Sequence, residues 1–197
     1  IKLKNLKTNL EYLKSKITSK TKFMAVVKAF SYGSDSRVVS QELERLGVNY
    51  LAVAYTQEGV DLRKFGIKIP ILILHPQEKD FDNIIENQLE PSIYSFRILS
   101  FFIKALKKKN KTSYPYHIKF NTGLNRIGFL KKDIHKLSKL IKSNLPKYLF
   151  SHLGASEDLN EKKYTKKQIE EFISIDKALE IELETPLKKH LLNTSGI

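Results

Sequence analysis

Short apolar runs alternate along the chain with stretches in which apolar residues recur every three or four positions. The first pattern is typical of buried strands and the second of amphipathic helices. Leu6, Leu10 and Leu13, for example, have helical spacing. The pattern predicts strands at 23–28, 50–54, 71–74, 90–94, 116–120, 148–153 and 190–193, and helices at 5–17, 36–46, 56–66, 81–87, 96–109, 132–143 and 165–179.

This order of elements predicts an α/β fold with a parallel sheet, because short connections join strands to helices throughout. No Gly-rich dinucleotide fingerprint follows the first strand, which favours a (β/α)8 TIM-type barrel over a doubly wound sheet. Seven strands are one fewer than a closed barrel needs, and the chain does not begin with methionine. We therefore expect residues 1–197 to be one partial domain that lacks its last strand.

Lys28 stands at the end of the first predicted strand, in Val26-Val27-Lys28-Ala29-Phe30-Ser31-Tyr32-Gly33. Burial would disfavour the charged form of an amine at this position and would make it a nucleophile or a base. Lys28 is therefore a candidate Schiff-base lysine. A strand-end lysine that extends its amine to water is the alternative interpretation.

Further polar residues follow the carboxyl ends of the predicted strands, where barrels of this type carry their active sites. The turn after the seventh strand supplies hydroxyls and N–H groups that can bind a phosphate. A histidine at the sixth strand can act as an acid or a base, or as a structural residue. The residues at these ends are Lys28, His75, Lys119, Asn121, Arg126, His152, Asn193, Thr194 and Ser195.

The segment 117–129 is the second strong signal. Alternation places Lys119 and Asn121 on one face of the fifth strand, and the Asn-Thr-Gly turn lets Arg126 fold back towards the strand end. The planar guanidinium suits a phenolate or carboxylate oxygen. Two buried cations side by side would be costly unless an anion lay between them.

Composition excludes several other classes of site. The chain has no cysteine, which rules out disulfides and thiolate metal sites, and it contains neither a phosphate-binding GxxxxGK[ST] loop nor an HExxH motif. Its net charge of +14 comes from lysines spread over the predicted helices. That distribution is typical of solvated helix faces rather than of a nucleic-acid site. No run is long enough to span a bilayer, and we expect a cytoplasmic protein.

Taken in order, these segments resemble the alanine racemase family. The family motif Val-Val-Lys-Ala-x-x-Tyr-Gly corresponds to residues 26–33, and Lys-x-Asp-Thr-Gly-Met-x-Arg-x-Gly corresponds to residues 119–128. Leu51–Ala54, Ser151–Leu153 and His190–Thr194 are similar to further strands of the family. The Ala-Phe-Ser-Tyr-Gly variant also resembles racemase modules fused to a Mur-type peptide ligase.

The resemblance implies a pyridoxal 5'-phosphate (PLP) enzyme that interconverts L- and D-alanine for peptidoglycan synthesis and forms a homodimer. Lys28 would carry the cofactor as an aldimine and act as one base. The second base would come from a C-terminal β domain of the partner subunit, so we expect residues 1–197 to be inactive alone. The other implied roles are phosphate binding by Tyr32, Asn193, Thr194 and Ser195, a hydrogen bond from Arg126 to the phenolic oxygen, support of the ring by His152, and carbamylation of Lys119.

The chain departs from the family pattern at three positions. Asn121 replaces the usual aspartate, Leu124 the usual methionine and Thr194 the usual serine. The first change removes a carboxylate near Arg126. A single-domain PLP-binding barrel of cofactor homeostasis is an alternative reading, as are a decarboxylase with the same barrel and a basic binding module. The Tyr32-Gly33 pair and the block 119–126 argue against the first, and the same block argues against the decarboxylase. A basic binding module would leave the polar residues at the strand ends unexplained.

Overall fold

The computed structural model describes residues 2–197, which divide after Ser92 into two compact units. Strands and helices alternate through both units, so the α/β class is confirmed. The strands are β1 (Met24–Val26), β2 (Tyr50–Val53), β3 (Ile71–Ile73), β4 (Glu90–Ile93), β5 (His117–Lys119), β6 (Tyr148–Phe150) and β7 (Lys188–His190). The helical segments are α1 (Leu3–Lys14), α2 (Lys28–Gly33), α3 (Ser36–Arg45), α4 (Thr56–Lys64), α5 (Phe81–Glu86), α6 (Phe96–Lys108), α7 (Ile134–Ile141) and α8 (Lys162–Leu183).

In the first unit, β1, β2, β3 and β4 pair in parallel in chain order. Val26 lies opposite Ala52, and Val53 lies opposite Ile73. Because the strands are parallel and in register, their carboxyl ends lie next to one another. The core consists of apolar strand and helix residues that are fully buried, among them Leu51, Ile71, Leu72, Ile73 and Ile84.

In the second unit, β5, β6 and β7 also pair in parallel, and Lys119, Phe150 and His190 stand at their carboxyl ends. The long helix α8 packs beside α7. The fully buried residues Ile118, Leu137, Leu149 and Ile175 belong to the core of this unit. Both sheets therefore bring consecutive strand ends together, as the alternating pattern predicts.

Three predicted features need correction. The seventh strand is Lys188–His190 rather than 190–193, so Thr194 and Ser195 lie in a 3-10 turn beyond the strand. The first strand is not uniformly buried, since Val26 is 42% exposed. It also ends before Lys28, which begins α2. The helix α2 itself was not predicted, because its four central residues have an unusual backbone that no local pattern announces.

The lysines of the helices are mostly exposed, including Lys107, Lys131, Lys162 and Lys166. The interpretation of the net charge as solvated helix faces is therefore confirmed for these positions. Within residues 2–197, none of the helices combines the length and the apolar character that crossing a bilayer requires.

Candidate functional site

The segment after β1 is a left-handed helical turn. Ala29, Phe30, Ser31 and Tyr32 have φ between 51° and 56° and ψ between 42° and 55°. Two hydrogen bonds close the turn, from the N–H of Ser31 to the carbonyl of Val27 at 3.2 Å and from the N–H of Ser34 to the carbonyl of Phe30 at 2.7 Å. Lys28 is half-buried immediately before this run.

This backbone is locally unfavourable, because an L-residue in the left-handed region brings its Cβ too close to the next carbonyl oxygen. The cost is roughly 1–2 kcal/mol for each of the four residues. Strain of this kind persists only where the surrounding structure fixes it, and it is common at functional sites. The turn also buries the hydroxyl of Ser31, which has no hydrogen-bond partner within residues 2–197. The Phe30 and Tyr32 side chains are exposed.

Glu58 joins this turn to the carboxyl end of β2. Its Oε1 atom accepts a hydrogen bond from the N–H of Ala29 at 2.7 Å. Its Oε2 atom accepts from the N–H groups of Ala54 at 2.7 Å and of Tyr55 at 3.0 Å. A single carboxylate in the first turn of α4 thus satisfies three backbone donors from two strand ends.

In the second unit, Asn121 organises the loop that follows β5. Its Oδ1 atom accepts hydrogen bonds from the N–H groups of Gly123 and Asn125, both at 3.0 Å. Its Nδ2 atom donates to Oδ1 of Asn125 at 2.9 Å. An aspartate could make the first two bonds but not the third. Asparagine at this position therefore supplies the loop with both an acceptor and a donor.

The same loop closes at Gly128, where two backbone segments approach each other. Gly128 has a φ of +135°, and a Cβ atom there would lie 2.6 Å from the backbone nitrogen of Asn121. Hydrogen bonds from Asn121 N–H to the carbonyl of Phe129 and from Phe129 N–H to the carbonyl of Lys119 hold the segments together. Only glycine fits this position without displacing the backbone.

Lys119 and Arg126 differ in their environments. Lys119 is 4% exposed and its Nζ atom lies 5.5 Å from the centre of the Phe150 ring, whereas Arg126 is exposed. The two residues are therefore not a pair of buried cations. Only the lysine of this pair carries the desolvation penalty, because the loop turns the arginine outward.

A pair of histidines lies beside Lys119. Nδ1 of His117 and Nε2 of His190 are 2.9 Å apart, and the ring of His190 stacks on Phe150 with centroids 4.6 Å apart. Desolvation of the ring, and then the nearby His117 and Lys119, hold the pKa of His190 well below its usual value. The His190 ring is therefore kept neutral, as expected beside a second imidazole and an ammonium group.

Gln168 on α8 holds the segment after β6. This buried amide accepts a hydrogen bond from the N–H of Gly154 at 2.8 Å and donates one to the carbonyl of His152 at 3.1 Å. The His152 side chain is exposed. The hydroxyl of Ser151 donates to the carbonyl of Phe120 and lies 2.8 Å from the Thr122 hydroxyl, which ties this segment to the β5 loop.

The turn after β7 is fastened by Asn193. Its Oδ1 atom accepts hydrogen bonds from the N–H of Gly196 at 3.0 Å and from the hydroxyl of Ser156 at 2.7 Å. Thr194 and Ser195 are exposed in the 3-10 turn that begins here. The first N–H groups of such a turn have no acceptor within it and point outward.

The predicted site residues lie on the segments that follow the strands of the two units. Lys28 and Tyr32 share the left-handed turn of the first unit. In the second unit, hydrogen bonds connect the segments that carry Arg126, His152 and Asn193 through neighbouring side chains.

Sequence reasoning did not identify Glu58 or Gln168 as site residues. The position of Glu58 in the first turn of a helix was the available signal, since acidic residues there often accept backbone N–H groups. Gln168 gave no such signal.

Comparison with known proteins shows the family to which this chain belongs. The family model "Alanine racemase, N-terminal domain" matches residues 1–197. Alanine racemase 1 of Caldanaerobacter subterraneus subsp. tengcongensis is 32% identical over 195 residues, which are 96% of this chain and 50% of that protein. The chain thus spans about half the length of the curated relatives it matches.

Solved structures agree. The alanine racemase of Clostridium difficile 630 in complex with cycloserine has a TM-score of 0.92 and 29% identity, over 98% of this chain and 54% of that one. Alanine racemase from Bartonella henselae with covalently bound pyridoxal phosphate has a TM-score of 0.87 and 25% identity, over 100% and 56%. These likenesses confirm the predicted TIM-type barrel class. The chain belongs to the alanine racemase family and corresponds to the N-terminal domain of that family.

Proposed function

We propose that this chain provides the PLP-binding part of an enzyme that interconverts L- and D-alanine. The observation that carries the proposal is Lys28, a half-buried amine held at a strand end by a strained turn whose sequence matches the family motif. The match of the family model to residues 1–197 supports the same conclusion. As in the expectation from sequence, Lys28 carries the cofactor through its amine.

The residues present fit this cofactor. Besides the amine, the first unit offers the phenol of Tyr32 and the buried hydroxyl of Ser31, which has no partner among residues 2–197. The second unit offers the guanidinium of Arg126, the imidazole of His152 and the turn that begins at Asn193. This is a donor set for an anionic, phosphorylated pyridine with a phenolic oxygen.

In the proposed site, the hydroxyls and N–H groups of Tyr32, Thr194 and Ser195 bind the phosphate. Asn193 is also assigned to phosphate binding, and its side chain stabilises the turn by accepting a hydrogen bond from the N–H of Gly196. Arg126 donates to the phenolic oxygen, and His152 supports the ring. Bound PLP supplies an electron sink that makes the α proton of an attached amino acid acidic.

Lys28 is then the base that moves this proton on one face of the substrate. Racemisation requires a second base on the opposite face, and we assign no residue of the described chain to it. In this proposal alanine is the substrate, the enzyme acts as a homodimer in the cytoplasm, and its product enters peptidoglycan precursors.

We further propose that Lys119 is carbamylated. Lys119 is almost fully buried, and conversion of its amine to a carbamate would replace a buried cation by an anion. Pairing of this anion with Arg126 would require the exposed guanidinium to turn towards β5. A change in intact mass that is lost in Lys119→Arg would support the modification.

The main test is to incubate the protein with PLP, reduce it with borohydride and map the modified lysine by mass spectrometry. We expect one label, on Lys28, which disappears in Lys28→Ala and remains in Lys22→Ala, a change of an exposed lysine in the same unit. Label spread over surface lysines would contradict the proposal. Formation of D-alanine from L-alanine by the full-length protein tests the reaction itself.

A further inference from the structure

Just beyond the ends of β1 and β2, one backbone hydrogen bond of a regular parallel ladder is replaced by a bond to a side chain. The N–H of Val27 donates to the carbonyl of Ala52 at 2.9 Å, which continues the ladder one step past β1. The next donor on this edge is the N–H of Ala29. The carbonyl of Ala54, its regular acceptor, already accepts from the N–H of His75 at 2.9 Å. Oε1 of Glu58 accepts from Ala29 instead, at 2.7 Å.

This bond acts on the peptide unit that joins Lys28 to Ala29. Because a peptide unit is planar, a fixed N–H direction fixes the orientation of the whole plane and hence the ψ angle of Lys28. It also fixes the start of the left-handed run, since Ala29 is its first residue. The second carboxylate oxygen is anchored to Ala54 and Tyr55, so the acceptor cannot follow the turn if the turn relaxes.

We propose that Glu58 is a positioning residue that aims the Lys28 amine at the cofactor. The inference rests on the proposed function, because the amine needs a fixed direction only if it carries PLP. A carboxylate suits this task because it presents an acceptor at each end. Glutamine presents only one oxygen, and its amide group would face an N–H of one of the two strand ends.

Two substitutions in the full-length protein separate this role from a general loss of stability. Glu58→Gln removes one acceptor end. Glu58→Asp keeps the charge and, being shorter, still reaches the N–H groups of Ala54 and Tyr55 at its own helix start but not that of Ala29. Asp61→Asn on the same helix is the matched control, since it removes an exposed carboxylate that contacts only Gln57 among the described residues.

We expect both Glu58 variants to raise the dissociation constant of PLP about tenfold or more, the order for loss of a charge-assisted hydrogen bond. The yield of borohydride label on Lys28 and kcat should fall, with little change in KM for alanine. Without PLP, amide hydrogen exchange at Ala29 should be faster in both variants, and exchange at Tyr55 should stay slow in Glu58→Asp. Asp61→Asn should match the parent in every measurement.

Unchanged exchange at Ala29 in Glu58→Asp would overturn the inference, because the hydrogen bond would then not restrain the turn. Faster exchange with unchanged PLP affinity would overturn it as well, since the bond would stabilise the fold without aiming the amine. A parent protein that does not label Lys28 would contradict the proposed function itself. Exchange at Ala29, measured without PLP, would still show in that case whether Glu58 holds the turn.

Discussion

The two units hold the segments after their strands with different chemical groups. In the first unit, the carboxylate of Glu58 accepts hydrogen bonds from Ala29, Ala54 and Tyr55. In the second unit, the amide of Gln168 accepts from the N–H of Gly154 and donates to the carbonyl of His152. Each side chain reaches from a helix to the backbone of segments that carry a predicted site residue.

The difference follows from the backbone groups that each side chain contacts. Glu58 contacts three N–H groups at the ends of β1 and β2, which suits a carboxylate with two acceptor oxygens. Gln168 contacts one N–H and one carbonyl after β6, which suits an amide that both accepts and donates. Exchanging the two side-chain types should therefore be harmful at either place.

Gln168→Glu should have the largest effect on stability. The variant places a carboxylate, nearly isosteric with the amide, against the carbonyl of His152 at a buried position and removes the donor. We expect the free energy of unfolding to fall by about 4 kcal/mol at neutral pH, because an uncompensated charge is left buried. Urea unfolding measures the change.

Lowering the pH should recover part of this loss, because burial raises the pKa of the new carboxyl group and its protonated form can donate to the carbonyl. Glu170→Gln, at an exposed position on the same helix, should change stability little at any pH. A pH-independent loss in Gln168→Glu would contradict the explanation by hydrogen-bond type.

Gly128→Ala should have the next largest effect. The added Cβ would lie 2.6 Å from the nitrogen of Asn121, at a φ of +135°. We expect a loss of about 3 kcal/mol, the sum of backbone strain and a clash that flexible side chains cannot relieve. Thermal unfolding checks the value, and reduced PLP affinity should accompany it because the loop carries Arg126.

Gly66→Ala in the first unit is the control that separates these two contributions. Gly66 also has a positive φ, +102°, but nothing lies within 4 Å of its added Cβ. Only strain remains there, and we expect a loss of about 1–2 kcal/mol. Equal losses in the two variants would show that the close approach at Gly128 has no energetic weight.

Asn121→Asp should have the smallest effect. The aspartate keeps the acceptor for the N–H groups of Gly123 and Asn125, and the side-chain amide of Asn125 can turn over to donate to it. We expect a change within about 0.5 kcal/mol, whereas Asn121→Ala should lose about 1–2 kcal/mol because two acceptor bonds disappear. A large loss in Asn121→Asp would mean that the donor to Asn125 is the essential contact.

The prediction of local elements from sequence succeeded where local chemistry decides the backbone. Asp35 and Ser36 both have cap-forming side chains before the amphipathic run, and Asp35 caps α3 by accepting from the N–H groups of Arg37 and Val38. Six of the seven predicted strands contain the observed strand completely, although 23–28 and 148–153 are twice as long as the strands they contain. The seventh was placed too far along the chain, because Leu191 and Leu192 gave it an apolar pattern that the structure uses after the strand.

The candidate site could be predicted only in part. Lys28, Lys119 and Arg126 were proposed from the sequence because each follows or ends an apolar run in a distinctive motif. The exposure of Arg126 could not be inferred, since it depends on how the loop closes at Gly128. Gln168 lies 16 positions after His152 in the sequence, so no local pattern predicts its hydrogen bond to the His152 carbonyl.

The sequence by itself determined the alternation of strands and helices, the parallel order of the strands and the position of Lys28 just after β1. These follow from side-chain polarity and spacing, which act locally. The tertiary structure alone decided the left-handed turn after Lys28. Its backbone is unfavourable for L-residues, and local preferences therefore argue against it. It exists where parallel pairing brings the ends of β1 and β2 within reach of one carboxylate, whose hydrogen bonds help to offset the strain.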